Sequence, residues 1–282
     1  MKPQLQLIDP SFQSQNSEKC DLLLHIGAAG ISYAIVNREE NKLKVLCEVS
    51  LAGYSEEKTV NNLVELTDKN DHFKFSYKKV IISVETFKYT FIPNEVYDKS
   101  KLLKYAKFLN PDRFDDILVS DLKQPAIKNI FSIDVDIKTY LLAQFPNAII
   151  VNQANPLICG SQKALGADSS SHLFINIQTC NFEIAFYTAN KLHLYNMYEY
   201  KNVDEFNYFL LAIINMFQLS GSSTTVVLAG KINPGEELYL RIKKYFTKIK
   251  LADSAPLADR DYVFHRVQSH TFFSLLSLTL CE

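Results

Sequence analysis

The chain has 282 residues, of which 47% are hydrophobic and 22% are charged, and its formal net charge is −1. This balance is typical of a globular protein, and the length is enough for one large domain or two ordinary ones with real cores. The nearly neutral charge provides no field that would attract nucleic acid or an acidic membrane surface, so nucleic-acid binding is not predicted.

The cysteines and the hydropathy pattern indicate in which cellular compartment the protein is expected. The number of cysteines is odd and none has CxxC spacing, which indicates buried free thiols in a reducing compartment. The polar N-terminus lacks the apolar region of a signal peptide, and no apolar run approaches the ~20 residues needed to span a bilayer. We therefore expect a cytoplasmic protein with no direct membrane insertion.

The first regular pattern along the chain is a β-hairpin. Residues 22–26 and 31–37 place apolar side chains at every second position, and the tight turn between them contains Gly27 and Gly30. A third strand, a helix and a buried strand are predicted next, at residues 43–51, 56–67 and 79–84. The order is therefore β-β-β-α-β.

The same order of elements recurs in the second half of the chain. Three strands, a helix and a strand are predicted at residues 173–177, 182–188, 192–198, 203–219 and 225–228. Asn202 and Glu205 form a predicted capping box at the start of the helix. Because an internal duplication indicates two related halves, we expect residues 20–168 and 169–282 to form them as one body with a cleft, after a leader at residues 1–19.

The remaining elements lie between and after the two copies. Strands are predicted at residues 87–92, 116–122, 126–133, 148–151 and 249–251. Helices are predicted at residues 95–109, with Asn94 as N-cap, and at 137–145, 156–165, 236–246 and 269–280.

With these elements in place, the chain resembles the actin-like, ribonuclease-H-like ATPase superfamily. Residues 80–110 contain an apolar strand, a turn, a second strand ending at Pro93 and a helix. This looks like the branch with the type IV pilus assembly M protein, the type II secretion L protein and the cell-division actin homologue. The segment DPSF at residues 9–12 is similar to an uncharacterised bacterial family of this fold. The resemblance implies an α/β fold with a duplicated actin-like core and an inserted small α/β subdomain at residues 87–145.

In that superfamily three loops hold the nucleotide, and each has a degenerate counterpart here. The first normally supplies an aspartate to the Mg²⁺ shell and hydroxyl groups to the phosphates, the second supplies another aspartate, and the third is a glycine-rich turn. The corresponding residues are His25, Gly27, Ala28 and Ala29 in the first loop, Asn176, Ile177 and Gln178 in the second, and Ala229, Gly230, Lys231 and Ile232 in the third.

Both carboxylates that would orient Mg²⁺ are therefore absent from these positions. Mg²⁺ is held through oxygen ligands, and a neutral imidazole at His25 does not replace a carboxylate. Lys231 supplies one positive charge but does not rebuild a phosphate cradle. We therefore predict no ATP hydrolysis, no catalytic, cofactor-binding or metal-binding residues, and no cofactor.

Four other groups of residues have both a functional and a structural interpretation. His25 is either a ligand or a satisfied core histidine, and Asp134 with Asp136 is either an acid pair or a helix cap. Cys159 and Cys180 are either nucleophiles or small buried thiols. The lysines of residues 243–250 form either a nucleic-acid patch or a solvated face. The structural interpretation is preferred for each group.

The functional expectation is a catalytically inactive scaffold that binds a protein or peptide partner, since the resembling branch binds partner proteins through its inserted subdomain and the adjacent cleft. This is an analogy at the level of the fold. The alternative is an ATP-dependent switch with unconventional phosphate loops. An enzyme acting on a small molecule in the cleft is a third possibility, and no constellation of residues supports it.

Overall fold

The computed structural model describes residues 3–51, 56–112 and 115–281. Contacts between Cα atoms divide the chain into two compact units. Unit 1 contains Met1–Pro156, Ala255–Arg266 and Leu275–Glu282, and unit 2 contains Leu157–Ser254 and Val267–Ser274. The division of the chain at residues 168 and 169 stays a prediction.

Unit 1 is built on a six-stranded sheet with the order β1-β4-β3-β2-β5-β9. Its strands are β1 (Leu5–Ile8), β2 (Cys20–Gly27), β3 (Gly30–Asn37), β4 (Lys42–Ser50), β5 (Lys79–Val84) and β9 (Ile149–Asn152). The first four form antiparallel pairs, whereas β5 runs parallel to both β2 and β9. Helix α1 (Glu56–Lys69) joins β4 to β5, as a parallel connection requires.

Unit 2 is built on a five-stranded sheet with the order β12-β11-β10-β13-β14. Its strands are β10 (His172–Ile177), β11 (Asn181–Thr188), β12 (Lys191–Glu199), β13 (Thr225–Gly230) and β14 (Lys248–Leu251). Helix α5 (Val203–Phe217) joins β12 to β13, and α6 (Glu237–Lys243) joins β13 to β14. Asn202 caps α5 by accepting the backbone N–H groups of Asp204 and Glu205.

The two sheets repeat one topology. In each, the first strand of the copy pairs antiparallel with the second and parallel with the strand that follows the helix. The strand next to that parallel strand is β9 in unit 1 and β14 in unit 2, and it is also parallel. This topology confirms the predicted duplication of a β-β-β-α-β core.

A third, antiparallel sheet lies within the segment predicted as an insertion. Its order is β6-β8-β7, with β6 (Tyr89–Pro93), β7 (Asp115–Leu122) and β8 (Ile127–Asp134). The short helix α2 (Leu102–Ala106) packs on it through a small core of Ala106, Leu109 and Ile130. Asp134 caps helix α3 (Val135–Gln144), which confirms the capping interpretation of Asp134. Helix α4 (Ala154–Leu165) follows β9.

The long helix predicted at residues 95–109 is wrong in its first part. The Asn94 N–H does not begin a helix, because it donates to Ala126 O and continues the β6–β8 ladder. Helical structure begins after Asp98, whose side chain accepts the Ser100 N–H, with 3₁₀ turns on both sides of α2.

Two other regions also differ from the prediction. The helix predicted at residues 269–280 is only α7 (Phe273–Ser277) with a following 3₁₀ turn, because His270 O accepts the Gly230 N–H and residues 269–272 form a turn. In the region predicted as a leader, β1 pairs with β4, and the buried Asp9 carboxylate lies 3.0 Å from Lys44 Nζ.

Each unit has its own apolar core. In unit 1 the core gathers side chains from β2, β3, β4, β5, α1 and α3. In unit 2 it gathers side chains from β10, β11, β13, α5 and α6. Among the described residues, no helix has the length and apolar character that crossing a bilayer would need.

Candidate functional site: three strand-end loops

The first loop is the turn between β2 and β3. Gly30 is required there because a Cβ atom would lie 2.7 Å from Val49 O. His25 lies in β2, two residues before Gly27, and its Nδ1 atom is 3.4 Å from Ser83 Oγ. Its Nε2 atom lies 3.9 Å from Glu85 Oε2. The imidazole therefore lies between two groups from the end of the parallel strand β5.

Glu85 is a charged residue of this loop that sequence reasoning missed. It follows β5 directly, and its N–H donates to Ile26 O at 2.9 Å. Its side chain is only 8% exposed, and Oε1 accepts the Ala28 N–H at 3.4 Å. A signal was available, since Glu85 is the first acid after a buried strand whose carboxyl end meets that of β2.

The Glu85 carboxylate changes what the first loop can bind. Backbone N–H groups in a tight turn attract anions such as phosphate oxygens. Here Glu85 Oε1 accepts the Ala28 N–H, so a carboxylate of the chain itself already uses one N–H group of this turn.

The second loop follows β10, and Asn176 lies at the position of the expected aspartate. Its side chain is buried, and Nδ2 donates to Glu183 Oε2 at 2.6 Å. The other carboxylate oxygen of Glu183 accepts the Tyr195 hydroxyl at 2.5 Å. The Asn176 side-chain amide is thus already hydrogen-bonded to a buried carboxylate. An aspartate at this position would place two negative charges in contact.

The third loop follows β13 and packs directly against the second. Gly230 has φ +83, and a Cβ atom there would lie 2.1 Å from Ile177 O. The Gly230 N–H donates to His270 O at 2.9 Å, and the Lys231 N–H donates to Ile177 O at 2.7 Å. The glycine is therefore required by backbone packing, and these two N–H groups are already satisfied within unit 2.

A buried amide cluster lies where β9 enters α4, and sequence reasoning missed it as well. Asn129 Nδ2 donates to Asn152 Oδ1 at 3.2 Å and to Asn155 Oδ1 at 2.8 Å. The Gln153 side chain accepts the Thr86 N–H at 3.1 Å and donates to Thr86 O at 3.0 Å. These uncharged groups tie the third sheet to the end of β9. They contain neither a general acid nor a general base that is charged near neutral pH.

The remaining candidate residues are the cysteines and any side chains that could bind a metal ion. None of the five cysteines forms a disulfide with another described residue, and Cys20, Cys47 and Cys281 are buried whereas the other two are half-buried. Burial raises the pKa of Cys20 to about 11, so its reactive thiolate form is rare near neutral pH. In the described part of the chain no three or more His, Cys, Asp or Glu side chains form a group that could hold a metal ion.

Solved structures share this fold. A protein of unknown function with an actin-like ATPase fold from Bacteroides thetaiotaomicron has 20% sequence identity and a TM-score of 0.80, over 96% of this chain and 99% of that chain. A PilM–PilN type IV pilus biogenesis complex has 12% identity and a TM-score of 0.61, over 92% and 97% of the two chains. The ethanolamine utilization protein EutJ from Carboxydothermus hydrogenoformans has 9% identity and a TM-score of 0.50, over 98% and 93%. They confirm the predicted actin-like fold.

Comparison at the level of sequence gives the family. No curated protein matches the chain. A family model described as "Protein of unknown function (DUF3822)" matches residues 9–249, which is most of the chain. This chain is therefore a member of the DUF3822 family and has the actin-like ATPase fold.

Proposed function

We propose that this protein is a non-catalytic member of the actin-like ATPase fold that acts as a protein-interaction scaffold. The observation that carries the proposal is that polar groups of the first and second loops already interact with carboxylates of the same chain. The Glu85 carboxylate lies beside the first turn, and the Asn176 amide is bound to the buried Glu183 carboxylate.

We expect no nucleotide chemistry because the residues of these loops do not match the ligands that Mg²⁺ requires. Mg²⁺ needs oxygen ligands in a nearly octahedral arrangement, and it neutralises the phosphate charge during transfer. Positions 25 and 176 offer an imidazole and an amide instead of carboxylates. The nearby acid, Glu85, is turned toward the Ala28 N–H and the His25 ring.

The scaffold role is supported by the fold and by the segment at residues 87–145. This segment has its own three-stranded sheet and a small core, so it presents an ordered surface rather than a loose loop. One structural neighbour, PilM, was solved in complex with PilN, which shows that a protein of this fold can hold a protein partner. The partner of the present chain is expected to be a protein or peptide.

The nucleotide part of the proposal is tested by the melting temperature of the full chain with and without millimolar MgATP. A ligand at 100 times its Kd stabilises a protein by about 2.7 kcal/mol, which raises the melting temperature of a chain of this size by roughly 5 °C or more. We expect no such rise. A reproducible rise that requires Mg²⁺ would favour the alternative, an ATP-dependent switch.

The scaffold part is tested by cross-linking the tagged full chain in its own cells and identifying the linked peptides. Each cross-linked segment is then synthesised and titrated against the purified chain. We expect at least one segment to bind saturably, with an affinity that MgATP does not change. If no segment binds, the scaffold role is excluded, and the result with MgATP decides separately about the nucleotide.

A further inference from the structure

One surface of the third-sheet segment combines strongly exposed apolar side chains with lysines. Leu103 is 77% exposed and Phe108 is 81% exposed, although both are large hydrophobic residues. Lys104 and Lys107 lie beside them at helical spacing and are exposed as well. We call these four residues, together with Lys99, the basic face.

The basic face is held in place by the buried side of the same segment. Ala106 and Leu109 are buried against Ile130, so α2 and its 3₁₀ turns cannot rotate to hide Leu103 and Phe108. The side chain of Asp98 fixes the start of the segment. The exposure of the two apolar side chains is therefore a property of the packed structure.

The charge of this face differs from the average of the chain. The four lysines between residues 99 and 107 are accompanied by no acid in that interval. Lys101 is paired with Asp98 at 3.1 Å. Lys99, Lys104 and Lys107 form no ion pair within residues 3–51, 56–112 and 115–281. The net charge of −1 thus conceals a local excess of positive charge.

We propose that the basic face adsorbs to an anionic lipid surface, with Leu103 and Phe108 entering the headgroup region and the lysines facing the lipid charges. Each lysine near such a surface strengthens binding about fivefold, whereas an exposed ion pair with a protein contributes less. The two apolar side chains project outward, and a fluid lipid interface accommodates projecting groups without a preformed pocket. An acidic protein segment is therefore the less favoured occupant.

The test is sedimentation of the full chain with phosphatidylcholine vesicles that contain about one third phosphatidylserine. We expect binding to these vesicles, none to pure phosphatidylcholine, and release when the salt concentration is raised to about 0.5 M. The Lys99→Ser/Lys104→Ser/Lys107→Ser variant should bind about 100-fold more weakly. The Leu103→Ser/Phe108→Ser variant should bind at least about 10-fold more weakly.

The matched control uses the second lysine-rich region of the chain. The Lys244→Ser/Lys248→Ser/Lys250→Ser variant removes the same charge from exposed positions, where the neighbouring apolar residues Leu240 (49% exposed) and Leu251 (36%) are much less exposed than Leu103 and Phe108. It should bind within about twofold of the wild type. Unchanged melting temperatures show that the variants are folded, since every replaced side chain is exposed.

Three results would overturn the proposal. They are an absence of binding to the anionic vesicles, equal loss of binding in the control variant, and saturable binding of the basic face to soluble polyglutamate without vesicle binding. Because the vesicle measurements involve neither ATP nor a protein partner, their outcome is independent of the proposed scaffold function.

Discussion

At the scale of single residues, Asn176 shows why the expected acid is missing from the second loop. Its amide donates to the buried Glu183 carboxylate at 2.6 Å. The substitution Asn176→Asp, which introduces the aspartate that the superfamily resemblance implies at this position, replaces that donor by a second negative charge. We expect a loss of about 3–5 kcal/mol in the free energy of unfolding near pH 7, measured by urea denaturation, because a buried charge loses its partner.

The double variant Asn176→Asp/Glu183→Gln is the control for this prediction. It exchanges the two groups and again pairs one amide with one carboxylate, so most of the lost stability should return. A second control is pH. Protonation of one carboxylate relieves the repulsion, so the deficit of the single variant should shrink as the pH falls toward about 4. A single variant as stable as the wild type would contradict the role given to Glu183.

His72 gives a residue-scale prediction for pH dependence. Burial lowers its pKa from 6.5, against a weaker opposite effect of Asp71. Asn70 Nδ2 donates to Tyr33 Oη, which leaves the Tyr33 hydroxyl free to donate to His72 Nδ1, 2.9 Å away. This contact suits a neutral ring.

Because the folded state resists protonation of His72, its contribution to stability is fully present above pH 6.5. It is lost as the pH falls from there through the lowered pKa of the folded state. The slope cannot exceed about 1.4 kcal/mol per pH unit for one proton. In His72→Gln, this part of the slope should be absent when the free energy of unfolding is measured between about pH 7 and pH 5. An unchanged slope would exclude His72 as its source.

Much at this scale was predictable from the sequence, and some was not. The residues at positions 25 and 176 could be identified because the loops follow strands with clear apolar periodicity. The groups they contact, Glu85 and Glu183, depend on strand register and on which strand ends meet. No local pattern around Asn176 shows that residue 183 on the next strand faces it, at the register given by the β10–β11 pair.

At the scale of elements, the N-terminal strand depends on one buried ion pair. Burial alone would raise the pKa of Asp9, but hydrogen bonds from Ser11 and Lys44 outweigh it and the pKa is lowered. Lys44 also lies 3.2 Å from Glu40. We expect Asp9→Asn to cost about 1–3 kcal/mol in the free energy of unfolding, because the more exposed Glu40 is then the carboxylate left beside Lys44.

The pH dependence runs in the same direction as that of His72, but it lies at lower pH. The stability that Asp9 contributes is present above pH 3.8 and is lost as the pH falls through its lowered folded-state pKa. The matched control is Asp71→Asn, which removes an exposed acid 2.6 Å from Lys74 and should cost clearly less stability than Asp9→Asn. Equal costs in thermal melts of the two variants would refute the importance of the buried pair.

The elements that sequence analysis predicted well were those with strong local periodicity. The bounds of β5 were predicted without error, and the hairpin β2–β3 and helix α5 were predicted to within two residues. The errors were helices whose ends depend on distant partners. Asn94 is a good helix cap by type, yet its N–H completes a ladder with Ala126. β1 was missed because only its pairing with β4 makes it a strand.

At the scale of the whole molecule, the end of the chain returns to the unit in which the chain begins. Leu275, Leu276 and Leu278 are buried, and their segment belongs to unit 1. The 3₁₀ turn Leu278–Leu280 lies against β2 and β5. Further upstream, the Leu43 N–H donates to Asp259 O at 2.9 Å. Sequence analysis could not predict these contacts, because contacts across such a separation leave no trace in local periodicity.

The stability of unit 1 should therefore depend on a residue only four positions from the end of the chain. Leu278 is completely buried, so Leu278→Ala should cost about 2–5 kcal/mol in the free energy of unfolding. Hydrogen exchange should then show faster exchange of the β2 and β5 amides than of the β10 and β13 amides. The control Leu103→Ala removes the same atoms from an exposed position and should change neither quantity. If Leu278→Ala instead loosened β10 and β13 first, the last residues of the chain would stabilise unit 2, contrary to the contacts that they make.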